Sequence, residues 1–419
     1  MREVGPILDH LFRHRAGQMV ATLTRIFGAA HLELAEEVVQ EALLSAMQQW
    51  SFHGVPDNPA GWLFRVARNK ALDHVRREAS LRSKESEVAA ALHPAMREDD
   101  CGFAHELRDD SLRMMLMCAH PQLPAESRIA LMLKTVGGFS VDEIARALMT
   151  KKEAIAQRVV RAKRLIRDEA LTMELPSRAE LAKRLDSVLL VLYLIFNEGY
   201  SANEGDDLVR ADLCADAIRL VRQLVEHPLA SSPAANALLA LMLLQAARLP
   251  ARVDGGELAL LADQDRSRWD RVMIADGFRA LDRAAAGDAI TTYHLEAGIA
   301  ACHAVAPSFA ETDWSRMLEL YDLLLALRPS PVVALNRAVA RAMVSDDDAA
   351  AALADVEHLA DDPQLRNYLP LAATLGELSL RLGNRERAAH HFARAIELPG
   401  TSPQKRFLMR KLASVGVSR

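Results

Sequence analysis

The chain has 419 residues, of which 50% are hydrophobic and 5% aromatic, and its formal net charge is −5. This length suits two to four domains, and a composition rich in Ala, Leu and Arg favours helices over strands. The 4 cysteines lie far apart without a CxxC pair, which argues against a disulfide framework and a zinc ribbon. The most apolar stretch, DSVLLVLYLIF, is too short to span a membrane, so we expect a cytoplasmic protein without membrane contact, cofactor or bound metal.

Residues 5–50 predict two helices, and the second contains the run LAEEVVQEALLSAMQQW. Apolar residues recur in this run at helical spacing and predict one buried face, formed by Leu34, Val38, Val39, Ala42, Leu43 and Ala46. The opposite edge of its first turns is acidic and amidic, through Glu36, Glu37, Gln40 and Glu41. Carboxylates suit the first turns of a helix, and they also offer a docking face to a basic partner.

A basic helix is predicted after the loop SFHGVPDNP, beginning at Pro59 and running to about Glu78. Its apolar positions include Trp62, which we expect in the core, while cations crowd its outer side. Those cations suit contacts with phosphates. Residues 80–108 are polar with weak periodicity and predict a linker.

The run SVDEIARALMTKKEAIAQRVVRAKR, residues 140–164, predicts two short helices joined by a sharp turn. Ser140 with Glu143, and Thr150 with Glu153, form two capping-box patterns. Two apolar stripes at helical spacing and a three-residue connection indicate a helix-turn-helix.

Seven basic residues against Glu153 alone make the second of these helices cationic between residues 151 and 167. A helix of this width fits the major groove of DNA, with its first turns at base edges and its later cations at phosphates. The alternative is an ordinary solvated surface helix. The coincidence of the charge with two caps and a tight turn favours DNA binding.

Two longer runs carry a family resemblance. AEEVVQEALLSAMQQWSFHG followed by PAGWLFRVARNKALDHVRRE resembles region 2 of the RNA polymerase sigma factors of the extracytoplasmic function (ECF) type, in the sigma-70 family. LPAESRIALMLKTVGGFSVDEIARALMTKKEAIAQRVVRAKRLIR resembles region 4 of the same family, in the same order. The resemblance implies region 2 over residues 1–79 and region 4 over residues 109–170.

The resemblance also implies partners and site residues. The residues at positions that bind a coiled coil of core RNA polymerase are Glu37, Gln40 and Glu41. Those implied at the minus-ten promoter element, where an unstacked base is captured, are Phe52, Asn58, Arg65, Arg68, Asn69, Lys70 and Arg76. Those implied at the minus-thirty-five element are Lys151, Lys152, Glu153, Gln157, Arg158, Arg161 and Arg164.

A long extension follows, which we divide into helices over residues 171–290 and repeats over residues 291–419. Pro329, Pro363 and Pro399 lie close to the period of tetratricopeptide (TPR) helix pairs, and LGNRERAAHHFARAIELPG resembles the second helix of such a pair. Stacked pairs leave a groove for a protein or peptide partner. With FNEGY and DGGELALLADQDRSRWD, the layout resembles the ECF subgroup with a TPR-like extension.

The segment DGGELALLADQDRSRWD admits two interpretations. Its carboxylates, from Asp254 to Asp270, could serve a hydrolase, but the spacing matches no calcium loop and there is no nucleophile elbow. A charged structural turn is the simpler interpretation.

We therefore predict an all-α, non-enzymatic sigma factor whose extension packs close behind region 4 and regulates or supports its activity. The first alternative is a one-component helix-turn-helix activator with a TPR sensor domain. The second is an enzyme that uses the carboxylate-rich segment.

Overall fold

The structure is a computed structural model that describes residues 4–81, 100–148, 150–200, 210–254 and 257–416. The chain forms two compact units, residues 1–194 and residues 195–419, and the boundary falls inside one long helix. The prediction of an all-α fold is confirmed, since the described strands are two pairs of residues in one hairpin. No helix in those ranges combines the length and apolarity needed to cross a membrane.

The first unit is built from helices and one 3-10 turn, Ala29–His31. Its helices are α1 Val4–Phe27, α2 Leu32–His53, α3 Pro59–Leu81, α4 Asp100–Cys118, α5 Ala125–Thr135, α6 Val141–Ala147, α7 Lys152–Asp168 and the first part of α8 Arg178–Tyr200. The predicted helices at 5–50 and 59–78 are thus present. Gly54 ends α2 with a positive φ of 82°, a backbone conformation that glycine adopts without steric cost.

The ends of the predicted linker are helical, and residues 82–99 of it lie outside the described residues. We expected residues 80–108 to be irregular, but α3 continues to Leu81 and α4 already begins at Asp100. Polar residues at 100–108 hide the periodicity there, whereas the run Met114–Met117 is buried on every side. A helix that is apolar all round lies inside the unit, and α4 packs against α1.

Helices from both ends of the first unit pack closely together. A methyl group on Gly17 of α1 would collide with the Val136 carbonyl after α5, so only glycine permits this approach. Arg25 of α1 also donates to the buried Asp110 of α4 at 2.6 Å. The predicted region-2 and region-4 segments therefore share one core in this structure.

The second unit is also helical, apart from the hairpin β1 Val253–Asp254 and β2 Glu257–Leu258 and a 3-10 turn, Arg266–Arg268. After the end of α8, its helices are α9 Ala211–Glu226, α10 Pro233–Ala246, α11 Leu249–Arg252, α12 Arg271–Ala284, α13 Thr292–Val305, α14 Trp314–Leu327, α15 Pro331–Ala342, α16 Asp346–Leu359, α17 Leu369–Arg381, α18 Arg385–Glu397 and α19 Ser402–Gly416.

Helix α10 forms the centre of the second unit. Its residues from Ala235 to Leu244 are all buried, and α9, α12 and α13 surround it. Ser232 caps its first turn by accepting from the Ala235 amide at 3.1 Å. The apolar helix supplies the core that its amphipathic neighbours cover.

The last helices stack as antiparallel pairs, α15 with α16 and α17 with α18, before α19 closes the stack. Close contact within the second pair requires Gly376, because a methyl group there would lie 2.6 Å from the Phe392 ring. The alanines of α18 divide between helix contacts and solvent. Ala388 and Ala395 are buried, but Ala393 faces solvent.

The carboxylate-rich segment serves as structural turns. Asp265 accepts from the Ser267 amide, and Asp270 caps α12 by accepting from the Met273 amide, both at 2.9 Å. Arg266 donates to the carbonyls of His303 and Ala306 and so connects the segment to α13. The short hairpin at its start was not predicted.

Candidate nucleic-acid interface

The acidic edge of α2 divides between solvent and the interior of the first unit. Glu37 and Gln40 are exposed, as a docking face requires. Glu41 is half-buried and accepts from Lys70 of α3 at 2.8 Å, which joins a predicted polymerase residue to a predicted DNA residue. Glu36 points inward instead.

Two apolar residues extend the same outer face of α2. Leu44 and Met47 are 59% and 55% exposed and follow Gln40 at spacings of four and seven residues. Sequence reasoning missed them because Leu43 and Leu44 are adjacent and only the phase of the helix decides which one is covered. Leu43 is partly buried, so the outer face is acidic at its start and apolar further along.

The cations of α3 lie on its solvent side, with one exception. Arg65, Asn69 and Arg76 are exposed and follow one another at four and seven residues, so they share a face. Arg68 is half-exposed beside them. Lys70 lies on another side of the helix, toward Glu41. Asn69 stands in the middle of α3 and caps no turn.

The end of α2 carries an exposed aromatic side chain, Phe52, and the loop after it carries the N-terminal cap of α3, Asn58. Phe52, near the end of α2, is 87% exposed. The Asn58 side chain accepts from the Gly61 amide at 2.8 Å and begins α3, so its first role is structural. Trp62 is partly buried and packs edge-on against Trp50, with ring centroids 5.4 Å apart. The expectation that Trp62 belongs with the core agrees with this packing.

One of the two predicted capping boxes is present. The Glu143 amide donates to Ser140 at 3.2 Å, and Glu143 accepts from the Ser140 amide at 2.8 Å. The second box is wrong, because Lys151 occupies the N-cap of α7 and its side chain makes no cap. Helix α7 therefore begins one residue later than predicted, with Glu153 exposed in its first turn.

Most cations of α7 have carboxylate partners within the chain. Lys152 donates to Asp142, which raises the pKa of Lys152, and Arg158 pairs with Glu126 of α5 at 2.5 Å. Arg164 and Arg167 share Asp168. We predicted Arg158 at DNA, but its side chain is only 28% exposed and is directed toward α5. Of the seven cations between residues 151 and 167, Lys151 and Arg161 form no ion pair with any described residue.

The outer face of α7 is a polar stripe with one apolar residue in it. The residues of this face are Glu153, Gln157, Val160, Arg161 and Arg164. Val160 is 59% exposed. The buried apolar stripe of α7, formed by Ile155, Val159 and Ala162, lies on another side of the helix. Sequence reasoning missed Val160 because its neighbour Val159 satisfies the core pattern.

A nearly dry ion pair joins α2 to α7. Lys163 donates to Glu36 at 2.7 Å, and the two side chains are 12% and 13% exposed. Glu36 also accepts from Thr135 of α5 at 3.1 Å. The nearby Cys118 is fully buried, and burial together with Glu36 raises the pKa of its thiol well above the usual range. This thiol is an inert core residue.

Comparisons with known proteins match both modules. Models of sigma-70 region 2 and sigma-70 region 4 match residues 11–81 and 113–166, and a family of unknown function, DUF6596, matches residues 184–285. An uncharacterized protein of Rhizobium meliloti, R00370, is 39% identical over 408 residues, which are 94% of this chain and 92% of that protein. No solved structure matches the chain.

Named sigma factors match about two fifths of the chain. The ECF RNA polymerase sigma factor SigE of Mycolicibacterium smegmatis is 28% identical over 163 residues, 39% of this chain and 61% of that protein. SigM of Mycobacterium tuberculosis is 29% identical over 158 residues, 37% of this chain and 72% of that protein. The family is one of non-enzymatic transcription factors that bind core RNA polymerase and promoter DNA. This chain belongs to the ECF RNA polymerase sigma factors of the sigma-70 family and carries a C-terminal helical extension.

Proposed function

We propose that this sigma factor docks on core RNA polymerase through the outer face of α2. That face offers Glu37 and Gln40 beside the exposed Leu44 and Met47. Carboxylates next to apolar side chains suit a basic, partly apolar partner helix, since apolar burial supplies affinity and charge supplies orientation. Glu41 belongs to the same surface, and its contact with Lys70 links docking to α3.

We place the minus-ten contacts on α3 and on the loop before it. The stripe of Arg65, Asn69 and Arg76, with Arg68 beside it, follows a nucleic-acid backbone, and the exposed Phe52 ring offers a stacking surface for a base. Asn58 supports this surface by holding the start of α3. Lys70 joins the contacts only when it leaves Glu41.

We place the minus-thirty-five contacts on the outer face of α7. Gln157 and Arg161 read base edges, while Val160 packs against the methyl group of a thymine. Lys151, Lys152 and Glu153 lie at the N-terminal end of the helix, and Arg164 meets phosphate. Arg158 holds α7 against α5 and takes no part in base reading.

The extension, in this proposal, supports or regulates initiation by receiving a partner. Its stacked helices form a compact unit of their own, residues 195–419, with a groove along the first helices of the pairs. A solenoid-like stack of this kind exposes a concave binding surface.

The observation that carries the proposal is the pairing of an acidic–apolar face on α2 with two outward basic faces on α3 and α7. In vitro transcription with purified core polymerase tests it: we expect promoter-specific initiation by the full chain. A variant with Glu37→Lys and Leu44→Glu should keep binding promoter DNA on its own but lose core binding and transcription. Specific DNA binding without initiation by the unaltered chain would favour the one-component activator.

A further inference from the structure

The stacked helices of the extension form a groove that a segment of the same chain closes on one side. The groove is a cavity of about 430 Å³ lined by α15, α17 and α19, with Met343, Ala373 and Phe407 among its wall residues. Leu258 and Leu260, which follow the turn of the hairpin, contribute to the same wall. Residues 257–260, the cis segment, therefore close one side of the groove, and strand β2 packs against α19.

An ion-pair clamp holds the first residue of the cis segment. Arg406 and Arg410 of α19 donate to the two carboxylate oxygens of Glu257 at 2.7 and 2.5 Å, and these bonds lower the pKa of the Glu257 carboxyl. Helix α19 carries four basic residues and no acidic one, which selects an anionic group at this position. The neighbouring Lys411 is already paired with Glu377 at 2.9 Å.

The remaining anchors of the cis segment are weak. Leu258 and Leu260 are only half-buried, and the strand that contains Leu258 has two residues. The Ala259 amide donates to the Arg252 carbonyl at 3.0 Å, which belongs to the adjoining chain and not to the groove. Partly exposed ion pairs contribute little net stability, so this segment is held loosely enough to exchange.

The cis segment leaves unfilled space on both of its sides. A second cavity of about 450 Å³ lies on the other side of Leu258, between Ala251 and Asp263 on one wall and Phe407 and Ser414 on the other. An apolar side chain next to unfilled space lacks dispersion contacts on that side, and a bulkier side chain would make them. A ligand with larger apolar residues would fit this space better than Leu258 and Leu260 do.

We propose that the groove is a binding site for an extended peptide of another protein, and that residues 257–260 cover part of it until that peptide takes their place on α19. The contacts define the ligand: an acidic residue for Arg406 and Arg410, a leucine-sized residue at the next position and a second apolar residue two further along. The peptide and the cis segment compete for the same contacts on α19, so a higher peptide concentration alone is enough to displace the segment. Peptide binding itself does not depend on the proposed function. Its effect on transcription rests on the proposed regulatory role of the extension.

The test is direct binding to the full chain, without polymerase or promoter, so that its failure is distinguishable from failure of the transcription proposal. The probe is a labelled peptide ELALLAD, which copies residues 257–263, measured by fluorescence anisotropy beside its QLALLAD counterpart. We expect the acidic peptide to bind the unaltered chain more tightly than the neutral one. In a Glu257→Gln chain the acidic peptide should bind roughly threefold more tightly, because the competing segment loses its partly exposed ion pairs.

One doubly substituted chain and one control complete the test. In an Arg406→Ala, Arg410→Ala chain the two peptides should bind equally, because the groups that distinguish them are gone. An Arg366→Ala chain, which removes an exposed arginine of the same unit, should behave as the unaltered chain. If the Glu257→Gln chain has a normal circular-dichroism spectrum but binds no peptide, the cis segment is a fixed part of the fold and the proposal is wrong.

Hydrogen exchange on the unaltered chain gives an answer that depends on no variant. Added peptide should speed exchange at the Ala259 amide, because the short hairpin that keeps this amide bonded to Arg252 would lose the support of the Glu257 contacts with α19. Unchanged Ala259 exchange at saturating peptide would contradict displacement. Concentration-dependent dimers formed by the Glu257→Gln chain would identify a second copy as the occupant and would also overturn the proposal.

Discussion

The two basic helices of the first unit use their charge in different ways. On α3, only Lys70 pairs with a carboxylate among the described side chains, and Arg65, Arg68 and Arg76 have no ion-pair partner there. On α7, carboxylates of the same chain engage most of the cations, through Asp142, Glu126, Glu36 and Asp168. A count of basic residues in a sequence therefore overstates the charge that α7 can offer to DNA.

The difference follows from what each helix must hold. Helix α7 is the last element of a small helix-turn-helix and uses Arg158 and Lys163 to bind α5 and α2. Helix α3 already packs through an apolar face that includes Leu63, Phe64 and Ala67. We expect α3 to bind nucleic acid mainly by charge and α7 by the side chains of a narrower face.

We expect the largest effect on stability from the buried ion pair of Lys163 and Glu36, and almost none from the exposed ion pair of Lys152 and Asp142. Lys163→Ala should lower the free energy of unfolding by about 3 kcal/mol, because it leaves the Glu36 carboxylate buried and unpaired. Lys152→Ala, whose pair with Asp142 is mostly exposed, should leave the unfolding midpoint unchanged. Urea titration of both variants checks this. Equal midpoints would mean that Lys163 is as dispensable as a surface lysine.

The free cations of α3 should dominate binding of single-stranded minus-ten DNA. Arg65→Ala with Arg76→Ala should weaken binding on all sequences and reduce the slope of log affinity against log salt by about 1.4, at roughly 0.7 for each phosphate contact. Lys70→Ala is the matched control, because Lys70 is held by Glu41. If Lys70→Ala reduced the slope as much as either arginine substitution, pairing within the chain would not predict availability.

Val160 on α7 should read a thymine methyl group. Replacing thymine by uracil at the contacted position should cost the unaltered protein about 0.8 kcal/mol of binding free energy, the typical contribution of one buried methyl-sized group. The Val160→Ala protein should be insensitive to the same change. Titration of DNA duplexes with single uracil replacements across the minus-thirty-five element checks this. A uracil effect that survives in Val160→Ala would assign the methyl contact to another side chain.

Asp168 should restrain DNA binding by α7. Arg164 and Arg167 share this carboxylate at 3.1 and 3.4 Å, so Asp168→Asn should raise promoter affinity by a few tenths of a kcal/mol and steepen the salt dependence. The matched substitution Glu169→Gln removes an exposed charge one residue later. Equal gains from both would indicate a general field effect and not release of these two arginines.

Periodicity and capping patterns predicted the helices over residues 5–50, 59–78 and 140–167, because each stripe of apolar residues at 3.6-residue spacing has only one way to be buried. The method failed where polarity hid a helix, as at Asp100 in α4, and where two adjacent apolar residues competed for one face, as with Leu44 and Val160. It also failed on long-range pairs. Glu36 and Lys163 are 127 residues apart, and no local pattern announces their contact.

The measurement that tests the central claim most directly compares Arg161→Ala with Arg158→Ala on one set of promoter duplexes. Arg161 is exposed without an ion-pair partner among the described residues, whereas Arg158 is held by Glu126. We predict that Arg161→Ala loses roughly 1–3 kcal/mol of affinity and relaxes base preference at one position, as expected for a lost bidentate contact. Arg158→Ala should keep both affinity and preference while unfolding at lower urea. A folded Arg158→Ala protein with altered base preference, beside an unaffected Arg161→Ala protein, would contradict the account.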